Sequence, residues 1–286
     1  MCHLSLGNMD TGGILLDQKL RVAVVGYGNV GKYALRAVRL APDMELIGVV
    51  RRHAHLPQPP ELTDLRVVTS IQDLPGVQAA LLCVPTRSVP QQAEQILSLG
   101  IHTADAYDIH GALADLQTHL DGVAKQAGSA AVVSAGWDPG TNSMMRGMLE
   151  FMAPQGITHT NYGPGMSMGH TVVAKAVPGV KDALSITIPA GMGIHKRAVY
   201  VELAPGADFP TVEQAIRTDA YFVNDETKVM QVDDVKSLID SGHGVLLERK
   251  GASSATGNQL FSFDMRINNP ALTAQIMTAA LRAAAR

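Results

Sequence analysis

The sequence predicts an α/β fold joined to a second domain of α+β type. Three observations carry this: short β-branched runs alternating with helical patterns over residues 20–133, a glycine-rich turn where the first strand meets the first helix, and longer runs of alternating polarity after residue 136. The chain has 286 residues, 46% hydrophobic and 17% charged, which is apolar material enough for one large core or two ordinary ones. With Lys+Arg 23 against Asp+Glu 26 the formal charge is −3, which excludes a basic nucleic-acid binder. No apolar run approaches the ~20 residues that span a bilayer, and the first twenty residues lack the basic-then-apolar order of a secretory signal. Cys2 and Cys83 cannot build a disulfide framework, so the expected compartment is the reducing cytoplasm.

Residues 1–19 are rich in Gly, Asn, Asp and Thr and read as a flexible leader, with Met9 as an internal alternative start; removal of the leader is expected to leave activity unchanged. The run 20–25 is the first strand and 30–40 the helix that follows; 44–50 is the second strand. Strand 79–84 leads to helix 89–99, strand 101–104 to helix 110–127, and 130–133 closes the series. Strand alternating with helix implies right-handed crossovers and a parallel sheet, and several of these runs are apolar on consecutive positions, as in strands covered on both faces. Beyond Gly136 the runs 183–189, 195–203, 244–250 and 260–267 alternate in polarity and read as a mainly antiparallel sheet with one solvated face. Residues 270–286 form an Ala- and Leu-rich helix with Asn269 as its expected N-cap. The domains are therefore 20–136 and 137–269, with 270–286 packing back near the first.

Gly26-Tyr27-Gly28-Asn29-Val30-Gly31 follows a strand and opens a helix, the context in which G-x-G-x-x-G signifies a Rossmann-type dinucleotide-binding domain. Gly26 permits the tight turn, Gly28 the approach of a pyrophosphate, and Gly31 the packing of helix on strand. Gly31-Lys32 nearly completes a P-loop, but Tyr33 stands where Ser or Thr must ligate magnesium. A free ribose 2′-hydroxyl calls for an acidic residue ending the second strand; the sequence has Arg51 and Arg52 instead, which suit a 2′-phosphate and so NADP(H). The alternative for the pair is a solvated strand end. After the strand at 79–84, Cys83, Pro85 and Thr86 fall at the carboxyl edge, where Pro85 and Thr86 line the nicotinamide ribose, and Ser88 reads as the cap of the next helix.

Asp108, after the strand at 101–104, and Asp138, after the strand at 130–133, fall at the edge where a nicotinamide lies. A carboxylate pair there can bind an ammonium group and take a proton from it before hydride leaves the adjacent carbon; equally, either residue can cap the helix that follows it. The ten histidines include no metal-binding spacing, so no metal is expected. His243 by default is a loop or core residue. Trp137 and the methionines 144, 145, 148, 166 and 168 are by default packing residues, the first three methionines with helical spacing and a core-facing stripe.

Together with the glycine turn, the strings Cys83-Val84-Pro85-Thr86, Tyr107-Asp108-Ile109-His110, Ser134-Ala135-Gly136-Trp137-Asp138-Pro139-Gly140, Gly163-Pro164-Gly165-Met166-Ser167-Met168-Gly169-His170 and Arg266-Ile267-Asn268-Asn269-Pro270 resemble the meso-diaminopimelate dehydrogenase family, from about residue 20 to 286. The resemblance implies a homodimer that performs NADP-dependent oxidative deamination at the D-centre of meso-2,6-diaminopimelate, giving L-2-amino-6-oxopimelate and ammonia, and runs in reverse as reductive amination. It implies that Asp108 and Asp138 bind the reacting amino group with Trp137 close by. Tyr162 stands where the family often has Phe. The resemblance further implies that Met168 and Gly169 offer backbone N–H groups to the reacting end's carboxylate, and that Thr187, Arg197, His243 and Asn269 fix the distal end, Arg197 by gripping a carboxylate bidentately. The second domain is then the substrate-binding and dimerisation domain. Family members continue past the last helix with a further strand and tail, whereas this sequence stops at Ala285-Arg286, a departure that bears on stability and dimer details more than on chemistry. Two other functions remain open: a broad D-amino-acid dehydrogenase or 2-keto acid reductive aminase of the same fold, and a non-catalytic NADP(H)-binding sensor.

Overall fold

The computed structural model describes residues 19–54, 57–238 and 243–285. The leader expected over residues 1–18 and the terminal Arg286 lie outside the described residues. The chain forms two compact units: one runs to Thr141 and takes back the chain from Pro270, the other is Asn142–Asn269. The division falls after Thr141 rather than after residue 136 because Gly136 is bonded into the turn beyond it: its N–H donates to the Pro139 carbonyl at 3.2 Å and its carbonyl accepts from the Thr141 N–H at 3.0 Å.

In the first unit, β1 (Leu20–Val25), α1 (Asn29–Leu40), β2 (Met44–Val50), β3 (Arg66–Val68), β4 (Ala79–Leu82), α2 (Val89–Leu97), β5 (His102–Asp105), α3 (Leu113–Ala127) and β6 (Ala131–Val132) build a six-stranded sheet in the order β3-β2-β1-β4-β5-β6. Every pairing in it is parallel. Successive residues of β1 feed opposite faces: Val22 and Val24 pack with Ala34, Leu35 and Val38 of α1, while Ala23 and Val25 pack with Ala93 and Leu97 of α2 and Leu120 of α3. Apolar runs without alternation are the sequence signature of such doubly covered strands. β3 escaped the sequence reading because it has three residues, the first of them an exposed Arg66. With all strands parallel, the turns after β1, β4, β5 and β6 leave from one edge, and the sheet reverses its winding between β1 and β4.

The second unit starts with α4 (Thr141–Met152), all but its first residue, and holds two sheets. β7 (Gln155–Tyr162), β8 (Gly165–Met166), α5 (Met168–Lys175), β9 (Val180–Gly191), β10 (Ile194–Leu203), α6 (Phe209–Thr218), β11 (Glu226–Gln231), β12 (His243–Ser253) and β13 (Thr256–Ile267) follow in turn. The sheets run β11-β10-β9-β8 and β13-β12-β7, antiparallel except for the β10/β11 pair. Buried Arg249 on β12 ties the end of α4 to this sheet, donating from Nε to the Ala153 carbonyl at 2.7 Å and from Nη1 to Thr158 Oγ1 at 2.8 Å. One expectation fails here: Met144 and Met148 do not face a core. They are 67% and 55% exposed, and α4 buries Asn142 and Leu149 instead. Helical spacing marks a common face without saying what covers it.

α7 (Asn269–Ala284) begins at its expected cap, one residue earlier than the helix was expected to start, so Asn268 precedes the first helical residue. Its Ala274, Met277 and Leu281 complete the cluster built on Val22, Val24 and α1. Arg282 grips Asp43 bidentately, Nε to Oδ2 at 2.6 Å and Nη2 to Oδ1 at 2.9 Å. Leu281→Ala is expected to cost about 3 kcal/mol by leaving a cavity in a fully buried site, whereas Arg282→Ala, which breaks a half-buried pair, should cost about 1 kcal/mol; urea unfolding of the two variants checks the ranking.

Candidate active site

The glycine turn joins β1 to α1 as three different steric solutions. Gly26 has φ +93° and a side-chain carbon there would lie 2.3 Å from the Cys83 carbonyl oxygen; at Gly31 it would lie 2.3 Å from the Gly26 carbonyl oxygen. At Gly28 it would meet nothing within 4 Å. The first two glycines therefore serve the packing of turn against β4 and of helix against turn, and the third keeps clear the space over the first turn of α1. The N–H groups of Asn29 and Val30 head that helix, where a phosphate is favourably bound. Tyr27 presents its ring to two cations, Arg51 at 5.4 Å and Lys32 at 6.0 Å. Arg51 also donates to Gln58 Oε1, so its guanidinium is held beside the turn, while Arg52 is exposed in the turn after β2. These features fit a dinucleotide bearing a 2′-phosphate. A cavity of about 660 Å³ opens at the carboxyl ends of β1 and β2, lined among others by Val25, Val50, Ser70, Ile71, Gln91 and Gln95. Burial pushes the Cys83 thiol up to about 12, so it is a packing group and no nucleophile.

Three successive loops on the same edge are hydrogen-bonded to one another. Thr86, in a short 3₁₀ turn after β4, accepts the Asp108 N–H on its hydroxyl at 3.1 Å. The Asp108 and Asp138 loops leave the paired strands β5 and β6 and are joined through Asp105, whose Oδ1 accepts the Tyr107 and Ser134 N–H groups. Asp108 is exposed, and the residue that precedes the 3₁₀ turn after it is Ile109, without a side-chain cap. Its carboxylate does not cap that turn. Nor does the Ser88 side chain cap α2. Trp137 and Asp138 are half-buried.

In the second unit Thr187 on β9 stands opposite Arg197 on β10 and opposite Gly165 on β8. Arg197 donates from Nη1 to Thr187 Oγ1 and from Nε to Asp225 Oδ2 at 2.6 Å. The bidentate grip expected of Arg197 is thus engaged on one side by Asp225, and an incoming carboxylate has the Nη edge to address. Asp225 lies just before β11, 28 residues from Arg197, a distance over which sequence carries no signal. Tyr162 ends β7 and donates its N–H to His195 Nε2 at 2.7 Å, which joins the two sheets. His243 opens β12 opposite Ile267 of β13, two residues before Asn269. It is 5% exposed, and burial pulls its pKa down to about 4, so the imidazole is neutral at physiological pH. Burial first and Arg197 second hold His170 and His195 below the usual histidine range as well. Met168 and Gly169 are the first residues of α5, and the preceding Ser167 caps none of their N–H groups; its hydroxyl pairs with His170 Nδ1 at 2.9 Å. Those N–H groups can receive a carboxylate. Among the described residues no group of three or more His, Cys, Asp or Glu side chains is placed to hold a metal ion.

Known proteins resemble both units. The family model for the diaminopimelic acid dehydrogenase C-terminal domain matches residues 136–194, and that of the oxidoreductase family with NAD-binding Rossmann fold matches residues 20–127. A meso-diaminopimelate D-dehydrogenase of Bacteroides fragilis is 57% identical over 266 residues, covering 93% of this chain and 89% of the relative. That of Corynebacterium glutamicum is 31% identical over 291 residues, with 93% and 89% covered. Among solved structures, the C. glutamicum enzyme in complex with diaminopimelate superposes with a TM-score of 0.82 at 29% identity, covering 94% of this chain and 89% of that one. An engineered D-amino acid dehydrogenase bound to NADP+ gives 0.77 at 29% identity, covering 94% and 90%.

The three glycines make a graded test of the cofactor turn. Gly28→Ala is expected to leave the thermal midpoint within about 2 °C and to weaken NADPH binding about tenfold or more, whereas Gly26→Ala and Gly31→Ala, which push a methyl group into a carbonyl, should each destabilise the fold by about 2 kcal/mol or more. Melting curves and fluorescence titration with NADPH separate the two effects.

Proposed function

The chain belongs to the meso-diaminopimelate D-dehydrogenase family, and from that premise we propose how its own residues carry the reaction. The activity is oxidative deamination of the D-centre of meso-2,6-diaminopimelate to L-2-amino-6-oxopimelate and ammonia, reversible as reductive amination, with NADP(H) as cofactor. The observation that carries the residue assignment is the joining of the Asp108 and Asp138 loops at the carboxyl edge of the sheet, on the same edge as the glycine turn.

In this reading Asp108 and Asp138 bind the reacting ammonium group and one of them takes a proton from it, leaving the neutral amine whose lone pair assists departure of hydride from the adjacent carbon. NADP+, when bound, supplies the hydride acceptor. Water then adds to the resulting iminium carbon and ammonia leaves, the aspartates returning protons to the departing nitrogen. Trp137 excludes water from the reacting carbon. Gly26 to Gly31 receive the pyrophosphate, Arg51 and Arg52 the 2′-phosphate, and Pro85 and Thr86 the nicotinamide ribose. The N–H groups of Met168 and Gly169 receive the carboxylate of the reacting end, with Tyr162 nearby. Thr187, Arg197, His243 and Asn269 hold the distal L-amino acid, the neutral His243 as a hydrogen-bonding partner. Fixing both ends lets the enzyme present a single C–H bond for transfer, which is the basis of selectivity for the meso isomer.

The reading includes a cytoplasmic homodimer. Support for the dimer comes from α4, where Met144, Met148, Phe151 and Met152 share one face, with Phe151 89% exposed. An apolar stripe of this kind marks a protein contact, and a second copy of the chain is its proposed occupant. Met148→Glu with Phe151→Glu is expected to shift the protein to monomer in analytical ultracentrifugation; a sedimentation coefficient equal to that of the unaltered protein would place the contact on another face.

The reaction is tested by NADPH absorbance with NADP+ or NAD+ and, in turn, meso-diaminopimelate, its LL isomer and D-alanine. Reduction of NADP+ by the meso isomer alone is the expected result. Comparable rates with D-alanine would favour the broad D-amino-acid dehydrogenase, and silence in every well despite NADPH binding the sensor. Asp138→Asn should lower kcat by about 100-fold or more with NADPH affinity unchanged.

A further inference from the structure

One acid is buried among the described residues and has no part in the mechanism above. Asp105 is the last residue of β5 and is 0% exposed. Its Oδ1 accepts the Tyr107 N–H at 2.9 Å and the Ser134 N–H at 3.0 Å. Tyr107 directly precedes Asp108, and Ser134 opens the segment that leads to Trp137 and Asp138. Two further bonds close the same junction: the Ser134 hydroxyl donates to the Tyr107 carbonyl at 2.7 Å, and the Ala135 N–H donates to the Asp105 carbonyl at 2.7 Å. Ser134 has φ +62°, in the left-handed region that side-chain-bearing residues disfavour, so its N–H is turned toward Asp105 at a conformational cost. Asp105 Oδ2 has no hydrogen-bond partner, and burial raises the pKa of the group. An acid in such a place is costly to the fold, and space alone would be filled better by an apolar side chain.

We propose that Asp105 is a positioning residue for the deamination: by receiving both N–H groups on one oxygen, it holds the Asp108 and Asp138 loops at a fixed separation without itself touching substrate or cofactor. The backbone N–H of Asp108 extends the brace to Thr86, so three consecutive loops of the site are set by one buried carboxyl and its neighbours. The inference rests on the reaction proposed above, and the experiment distinguishes the two.

Turnover of meso-diaminopimelate and NADP+ by the wild-type chain is the reference. Asp105→Asn keeps an oxygen able to accept both bonds and is expected to remain within about threefold of wild-type kcat. Asp105→Leu removes the acceptor and should lose about 100-fold in kcat, the scale of a misplacement near 1 Å, with NADPH Kd within about twofold. Its primary isotope effect on substrate deuterated at the D-centre should rise, because hydride departure becomes the slow step. Mere destabilisation would lower the amount of active enzyme and leave the isotope effect unchanged. Should Asp105→Leu fail to fold, Ser134→Ala removes only the hydroxyl bond to Tyr107 and should lose about fivefold in kcat with the same isotope signature. Wild-type kcat in Asp105→Leu, or in Ser134→Ala in its place, overturns the proposal while leaving the reaction standing, and so does an equal loss in the Asn and Leu variants. A wild-type chain that leaves NADP+ unreduced overturns the reaction and the proposal with it.

Discussion

Parallel pairing is the constraint from which the first unit follows. Six strands running the same way cannot be joined by tight hairpins, so each crossover carries a helix or loop over a face of the sheet and each strand is buried on both sides. The same constraint delivers every strand-to-helix turn to one edge, with N–H groups unpaired at the head of α1. The glycine turn, Thr86, Asp108 and Asp138 are brought to that one edge, though more than a hundred residues separate the first from the last.

An edge made of loops has to be made rigid before it can do chemistry with a hydride, whose transfer tolerates little displacement. The first unit does this with backbone N–H groups received by side chains: Asp105 for two loops, Thr86 for the neighbouring one. Buried polar groups are used as joints here and not as ligands. The second unit shows the same economy with opposite charge. Arg249 has the Glu150 carboxylate only at 3.9 Å, and its guanidinium spends its donors on the Ala153 and Pro154 carbonyls just after α4 and on Thr158. Arg197, by contrast, is shared between Thr187 and Asp225. Its ion pair with Asp225 keeps the guanidinium oriented and part-neutralised.

Burial also sets the protonation of several titratable groups. His243 is driven neutral, Cys83 is driven far from a thiolate, and His170 and His195 are both held toward the neutral form beside Arg197. The two aspartates in the loops after β5 and β6, Asp108 and Asp138, are exposed and half-buried respectively. Asp105, on the same edge, is by contrast fully buried, and burial raises its pKa.

Much of this was legible in the chain alone, for reasons tied to local sequence. The first-unit strands and helices announce themselves through consecutive apolar positions and helical spacing, and the glycine turn through the distinct steric demand at each of its glycines, so β1, β2 and α1 were found within a residue of their ends. That Asp108 and Asp138 stand in the loops after β5 and β6 was legible because each motif follows a strand. Other features were decided only by tertiary structure. Whether the methionine stripe of α4 faces a core or solvent depends on what packs against it, and nothing in the spacing of Met144 and Met148 encodes that. Asp225 beside Arg197, and Ser134 beneath Asp105, meet across 28 and 29 residues through strand register and loop closure. A sequence carries the periodicity of each element and the chemistry of each side chain; which side chains face one another is set by the pairing of strands and the closing of loops, interactions whose partners are distant along the chain.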